Sequence, residues 1–264
     1  MSNSDATILF HVEDQIANIR FNRPSALNAL DRTMAEGLLT ICKSIKASQD
    51  IGVVVISGEG RAFMAGGDLD YFKADLAAAA QAAPTVIDPL HEALSILTNL
   101  PQLVIASVHG AVAGAGVSLA LACDLSIAAE GTRFNLAYSK IGASPDGSAS
   151  WSLPRMVGLH KALELTLLAE TFDAAEAQRL GMISRVVPAA ALAAETEALA
   201  QRLASGPAFA FAKTKQLMRA SFARTMEDQM LAERESFIAC AKSADFVEGV
   251  SAFFDKRPPR FTGN

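Results

Sequence analysis

The sequence has little cysteine. Only three of its 264 residues are cysteines, and Cys42, Cys123 and Cys240 lie far apart without a C-x-x-C pair. An odd number at such spacings is not typical of a disulfide framework or of a zinc motif. The four histidines show no metal-ligand spacing either. We therefore expect reduced, structural thiols, no metal site and a cytoplasmic protein.

Charged side chains are also scarce. They make up 19% of the residues, and 23 Lys and Arg against 28 Asp and Glu give a formal net charge of -5. A mildly acidic chain without a basic block is not typical of nucleic-acid-binding proteins. The low charged fraction also indicates much buried surface, which includes contacts between subunits.

Long apolar runs are missing as well. The most apolar stretch, residues 104–123, is interrupted by His109 and three glycines and is followed by Asp124. It reads as a strand, a loop and a buried helix, and is not the continuous segment that a membrane span needs. The first ten residues lack a basic start and a long apolar core, so we expect no signal peptide and no membrane partner.

The apolar pattern that is present predicts an α/β protein. Residues 7–12 and 15–21 are predicted to form a hairpin, and residues 51–56 and 103–108 read as buried strands. Between those two strands, Leu90, Leu94 and Leu97 recur at helical spacing and predict a helix. Alternation of strands and helices is typical of βαβ units.

The last part of the chain has a different pattern. Asp173 and Glu176 form a variant of the capping box before a short helix that is predicted to end near Gly181. From residue 189 onward only helical patterns follow. We therefore divide the chain into an α/β core at residues 1–195 and a helical region at residues 196–264.

Two glycine loops follow the two buried strands. Gly66 and Gly67 come after the first strand, and Gly114-Ala115-Gly116 comes after the second and before a helix. Glycine lets backbone amides approach a ligand closely, and a helix N-terminus favours negative charge. Either loop alone is more typical of an ordinary turn than of a binding site. Together the loops could converge on one oxygen atom as an oxyanion hole.

Four segments resemble motifs of one family. Residues 61–69 read R-A-F-M-A-G-G-D-L, and residues 108–116 read V-H-G-A-V-A-G-A-G. Residues 23–30 read R-P-S-A-L-N-A-L, and residues 180–187 read L-G-M-I-S-R-V-V. In their order along the chain, with a similarity that extends over about residues 7–258, these four segments resemble the crotonase (enoyl-CoA hydratase/isomerase) superfamily. Residues 137–142 read A-Y-S-K-I-G, and together with Pro145-Asp146 and the W-S-L-P-R of residues 151–155 they are most similar to phenylacetate-pathway-type enoyl-CoA isomerases.

This resemblance implies a fold, a partner and an assembly. The fold would be the crotonase (ClpP-like) fold of repeated ββα/βαβ units, with a C-terminal helical trimerisation region. The substrate would be an acyl-CoA thioester. No separate cofactor is expected, because the substrate itself carries coenzyme A. The assembly would be a homotrimer or a dimer of trimers.

The resemblance also implies residue roles. Gly67 and Ala115 would supply the two oxyanion amides, Ala65 would contact the adenine, and the segment at Ser25 would line the CoA entrance. The basic residue that the family usually has at the Ser25 position is missing. The full set of expected CoA contacts is Ser25, Ala26, Leu27, Ala65, Gly66, Gly67, Asp68, Leu69, Gly114 and Lys256.

The acid/base groups depart from the hydratase pattern. Hydratases of the family carry two glutamates, and the corresponding positions here hold Ser118 and Tyr138. A hydroxyl and a phenol with ordinary pKa values are poor bases near neutral pH. Syn hydration by two glutamates is therefore not expected.

One carboxylate, that of Asp146, is a candidate for the base in place of the two glutamates. Asp146 lies in a P-D-G turn. By resemblance, this is the position at which related isomerases carry an aspartate that transfers a proton. We predict that Asp146 is the base, with Tyr138 as the next candidate. His109 is expected to make a structural hydrogen bond, and His91 is expected on a helix surface.

These residues predict an enoyl-CoA isomerase that shifts a β,γ double bond to the α,β position. Two alternatives stay open at this point. One is an enoyl-CoA hydratase with atypical acid/base groups, and the other is a non-catalytic acyl-CoA-binding relative. An RNA-binding relative is opposed by the acidic charge balance.

Overall fold

The computed structural model describes residues 6–73 and 75–263. Residues 1–5, to which the signal-peptide prediction extends, lie outside that part. The strands are β1 (Ile8–Glu13), β2 (Ile16–Phe21), β3 (Val53–Gly58), β4 (Ala62–Met64), β5 (Leu103–Val108), β6 (Ala111–Ala113), β7 (Leu125–Ala129), β8 (Arg133–Asn135), β9 (Phe172–Asp173) and β10 (Arg185–Val187).

Helices connect these strands and form the C-terminal part. They are α1 (Arg32–Ala47), α2 (Leu69–Lys73), α3 (Ala79–Ala82), α4 (Pro84–Asn99), α5 (Ala115–Ala122), α6 (Ala149–Val157), α7 (Leu159–Leu168), α8 (Ala174–Arg179), α9 (Leu192–Ala204), α10 (Ala208–Ala220), α11 (Met226–Cys240) and α12 (Ala244–Phe254). None of the helices in the described part is long and apolar enough to cross a bilayer.

The main sheet has six strands in the order β1-β2-β3-β5-β7-β10. Strands β1 and β2 form the predicted hairpin, and the other neighbours pair in parallel. Strands β3 and β5 are buried along most of their length, as their continuous apolar runs predict. The α/β architecture predicted from the sequence is confirmed.

A second sheet carries both glycine loops. Its order is β4-β6-β8-β9, with β4, β6 and β8 parallel and β9 antiparallel to β8. The first glycine loop leaves the end of β4, and the second leaves the end of β6. Parallel neighbouring strands end at the same edge of a sheet, so this topology brings the two loops side by side.

Helices cover both faces of the main sheet. Leu38 of α1 and Leu90 of α4 are buried in the large core on one face. Ala200 of α9 packs against Val53 and Ile105 on the other face. Helix α9 includes residue 195, and the division of the chain at that residue stays a prediction.

A buried ion-pair cluster attaches the C-terminal region to the core. Nζ of Lys215 in α10 lies 2.7 Å from Oδ2 of Asp124, and its side chain is 4% exposed. The same ammonium donates to the carbonyls of Leu97 and Gln102, while Arg219 pairs with Asp124 at 2.7 Å. Burial lowers the pKa of Lys215, and the charge of Asp124 acts in the opposite direction. The cluster fixes α10 against the end of α4.

Candidate active site

The first glycine loop is tied to the segment that carries Ser25, Ala26 and Leu27. The Ala65 amide donates to the Leu27 carbonyl at 3.1 Å. The Leu30 amide donates to the Gly66 carbonyl at 2.8 Å, and the Asp68 amide donates to the Leu30 carbonyl at 2.9 Å. Two segments that the sequence analysis assigned to the CoA site are therefore adjacent in the structure.

Asp68 braces this loop. Its Oδ2 lies 2.8 Å from Nη2 of Arg23, and the same nitrogen lies 3.3 Å from Oδ2 of Asp31. Its other oxygen accepts the Asp70 amide at 3.1 Å. Both carboxylate oxygens thus hold the loop and the start of α2, where Leu69 is exposed. A direct contact of Asp68 or Leu69 with CoA stays a prediction.

The second glycine loop leads into α5. Gly114 has φ +47°, and its amide donates to the Asn135 carbonyl at 3.0 Å. A Cβ added at Gly114 would lie 3.5 Å from the Cα of Gly66, which shows that the two loops touch. A Cβ at Gly116 would lie 2.3 Å from the Met64 carbonyl oxygen, so α5 packs directly on β4.

The amides of Gly67 and Ala115 lie at this contact between the loops. Within residues 6–73 and 75–263, neither amide donates a hydrogen bond. A Cβ added at Gly67 would meet no atom within 4 Å among the same residues, so this loop borders open space. Two free donors on adjacent loops are what an oxyanion hole requires. Convergence of both amides on one oxygen stays a prediction.

Asp146 lies beside the second loop in a hydrogen-bonded network. The Tyr138 hydroxyl donates to Oδ1 of Asp146 at 2.5 Å, and it also lies 3.0 Å from Oγ of Ser118. Ser118 Oγ lies 3.0 Å from the Asp146 carbonyl oxygen. Each hydroxyl has one proton, and the carboxylate and the carbonyl of Asp146 only accept, so Ser118 cannot donate to Tyr138 and to the Asp146 carbonyl at the same time. Both positions that hold glutamate in hydratases therefore contact the aspartate.

Tyr138 is a donor in this network rather than a base. Burial raises the pKa of its phenol, and the negative charge of Asp146 raises it further. The phenol therefore stays protonated at neutral pH. A Cβ at Gly114 would lie 3.9 Å from Cζ of Tyr138, so the ring connects Asp146 to the second loop.

His91 is the residue that the sequence analysis did not assign to this site. Its Nε2 accepts the Gly147 amide at 3.0 Å, directly after Asp146 in the chain. His91 is exposed, as expected for a helix surface. It also lines a cavity of about 940 Å³ together with Ser95, Ser148 and Trp151. No local pattern in the sequence places this face of α4 beside the turn, because the two segments are 56 residues apart.

Two residues from the sequence analysis, Lys256 and His109, lie outside the network around Asp146. Lys256 is exposed and follows α12; in the described chain no hydrogen bond or ion pair joins it to the loops or to Ser25. Its contact with CoA stays a prediction. His109 makes the structural hydrogen bond that was predicted, with Nε2 2.9 Å from the Gly60 carbonyl oxygen. Among residues 6–73 and 75–263, no group of three or more His, Cys, Asp or Glu side chains could hold a metal ion.

Comparison with known proteins agrees with this geometry. The family model described as enoyl-CoA hydratase/isomerase matches residues 11–264. A probable enoyl-CoA hydratase of Rhodobacter capsulatus is 38% identical, over 97% of this chain and 98% of the relative. The 1,2-epoxyphenylacetyl-CoA isomerase of Escherichia coli K12 is 37% identical over the same shares of the two chains.

A solved structure gives the same result for the fold. An enoyl-CoA hydratase from Polaromonas sp. JS666 superposes with a TM-score of 0.91 at 33% identity, over 97% of this chain and 99% of that one. The predicted crotonase fold is thereby confirmed. The chain belongs to the enoyl-CoA hydratase/isomerase family of enzymes, the crotonase superfamily.

Proposed function

We propose that the protein is an enoyl-CoA isomerase that moves a β,γ double bond of an acyl-CoA thioester to the α,β position. The observation that carries this proposal is the network of Asp146, Tyr138 and Ser118. The two hydratase glutamate positions hold hydroxyl groups, and both contact Asp146: Tyr138 contacts its carboxylate and Ser118 contacts its backbone carbonyl. A double-bond shift needs one base that takes a proton and returns it, whereas the family's hydratases use two glutamates on a water.

The proposed reaction assigns each of these groups a step. Asp146 takes a proton from the α carbon, and the electron pair moves into the thioester as a dienolate forms. The amides of Gly67 and Ala115 stabilise the negative oxygen, and each such donor is worth about 3–4 kcal/mol of barrier. Protonated Asp146 then returns the proton to the γ carbon, which leaves the conjugated α,β-enoyl thioester.

Binding of coenzyme A uses the segments next to the first loop. The hydrogen bond between Ala65 and Leu27 supports a joint contact surface of the two segments. Ser25 and Ala26 lie in the short 3-10 helix Pro24–Ala26, which precedes Leu27. We expect these backbone groups, together with Gly66 and Gly114, to contact the CoA moiety. Lys256 would act from the C-terminal region, in this subunit or a neighbouring one.

A second candidate substrate comes from a relative. The Escherichia coli protein at 37% identity is named for 1,2-epoxyphenylacetyl-CoA, which is also an isomerase substrate. The Tyr138 hydroxyl beside Asp146 favours this candidate, because it is a hydrogen-bond donor that an epoxide oxygen can accept. Both candidates need the same thioester site and the same aspartate.

We also propose a homotrimer or a dimer of trimers. Large apolar side chains are exposed on the C-terminal helices of the single chain, including Phe253 at 78% and Phe254 at 76%. Contiguous exposed apolar surface of this kind is typical of protein interfaces. A second copy of the chain is the partner that the predicted trimerisation region implies.

The proposed reaction is tested by absorbance of the conjugated thioester. A 3-enoyl-CoA and a 2-enoyl-CoA are incubated separately with the protein. Growth of the conjugated absorbance from the 3-enoyl substrate supports the isomerase. Loss of absorbance from the 2-enoyl substrate alone indicates a hydratase, and no change in either indicates a binding protein.

A further inference from the structure

We infer that His91 is a positioning residue that holds the Asp146 turn in its working geometry. This inference rests on the proposed function, because it concerns the orientation of the proposed base. It starts from the hydrogen bond of 3.0 Å from the Gly147 amide to Nε2 of His91. His91 lies on α4 and the turn precedes α6, so the bond joins two elements that are distant in sequence.

The turn needs support because its backbone conformation is unusual. Gly147 has φ +57° and Ser148 has φ +68°, so two successive residues adopt left-handed conformations. Such a conformation costs free energy for a residue other than glycine, and it persists when the surroundings hold it. The alternative backbone conformations of this segment would point the Asp146 carboxylate elsewhere.

Three side chains from three elements hold the turn. Tyr138 donates to the Asp146 carboxylate, and Ser118 of α5 contacts the Asp146 carbonyl. His91 takes the next backbone group, the Gly147 amide. Tyr138 and Ser118 therefore bind Asp146 itself, whereas His91 fixes the backbone that follows it. Space is also limited there, since a Cβ at Gly147 would lie 2.9 Å from Cβ of Ser118.

The hydrogen bond defines the state of the imidazole. A backbone amide is only a donor, so Nε2 of His91 must accept and carries no proton. The neutral ring then carries its proton on Nδ1. Glutamine can offer an amide oxygen at a similar reach along its side chain, but leucine offers no acceptor. This difference separates the hydrogen bond from the mere presence of a side chain.

The test compares His91→Leu, His91→Gln and Ser95→Ala in the isomerisation assay. Ser95 lies one turn further along the same face of α4, and its hydroxyl makes no hydrogen bond to the turn within the described chain. We expect His91→Leu to lower kcat by about 10- to 100-fold, the scale of a small misplacement of a catalytic group. KM should change by less than about threefold, His91→Gln should recover most of the rate, and Ser95→Ala should match the wild type.

Two further measurements separate positioning from a general structural effect. Nitrogen NMR of the His91 ring should show the tautomer with its proton on Nδ1. In an Asp146→Asn background, His91→Leu should cause no further loss of rate, because it acts only through Asp146. An Nε2–H tautomer, or wild-type kcat in His91→Leu, would overturn the inference. Full activity of Asp146→Asn alone would instead overturn the proposed function on which it rests.

Discussion

The Tyr138 hydroxyl donates a hydrogen bond of 2.5 Å to Oδ1 of Asp146. Tyr138 occupies one of the two positions at which hydratases of the family carry glutamate. The bond connects this position with Asp146 in a neighbouring turn. It gives the carboxylate a fixed orientation beside the second glycine loop. A buried phenol thereby takes part in the site as a neutral hydrogen-bond donor.

This relationship predicts the alkaline behaviour of the protein. The pKa of Tyr138 is raised above its ordinary value of 10.0, so the folded protein holds this proton where the unfolded chain releases it. The resulting stabilisation is fully present below pH 10.0 and is lost as the pH rises further. Tyrosinate absorbance of folded wild type and of Tyr138→Phe should therefore coincide around pH 10.0. One additional phenol that titrates there in the wild type would contradict the burial of Tyr138.

Two glycine variants separate loop function from loop packing. Gly67→Ala adds a methyl group to open space, so its free energy of unfolding should stay within about 0.5 kcal/mol of wild type. Its isomerase activity should fall, because the methyl group lies next to the amide that binds the thioester oxygen. Gly116→Ala places a methyl group against the Met64 carbonyl, and its free energy of unfolding should fall by about 1–3 kcal/mol. Denaturant unfolding and the absorbance assay measure both variants, and equal stabilities would contradict the packing argument.

Much of the fold was predictable from local sequence. The Asp173 cap is an example, since its side chain accepts the Glu176 amide at the start of α8. The hairpin, the buried strands and the two glycine loops follow in the same way from apolar spacing and glycine chemistry. These features depend on neighbouring residues, and a short window of sequence contains them.

The connections inside the site were not predictable in this way. The bond between His91 and Gly147 spans 56 residues, and no local pattern encodes it. The burial of Lys215 was missed for the same reason, because lysine is usually exposed and its partner Asp124 lies on a distant segment. The continuity of α9 through residue 195 depends on packing against the main sheet, which a change of composition does not reveal.

The Lys215 cluster predicts a large effect on stability. Lys215→Met leaves the Asp124 carboxylate with one cationic partner and removes the donor for two carbonyls. Breaking a buried pair in this manner costs about 3–5 kcal/mol. Lys213 on the same helix makes a cation–π contact with Phe209, so Lys213→Met should cost less than about 1 kcal/mol. Similar unfolding midpoints for the two variants would show that the cluster does not attach α10.

The exposed apolar surface of the C-terminal helices predicts the assembly. Light scattering at micromolar concentration should give three or six times the mass of the chain. The physical reason is burial of side chains such as Phe253 and Phe254 between copies. A monomer mass would show that these side chains stay exposed, and the proposed trimer would then be wrong.

The rate of the Asp146→Asn variant tests the central claim most directly. Asparagine keeps the shape of the side chain but cannot accept the proton, so the isomerisation rate should fall by about 10²–10⁴-fold. The dissociation constant of an unreactive acyl-CoA should change little, because the glycine loops and the CoA contacts are unaltered. An Asp146→Asn variant that isomerises a 3-enoyl-CoA at the wild-type rate would show that another group moves the proton.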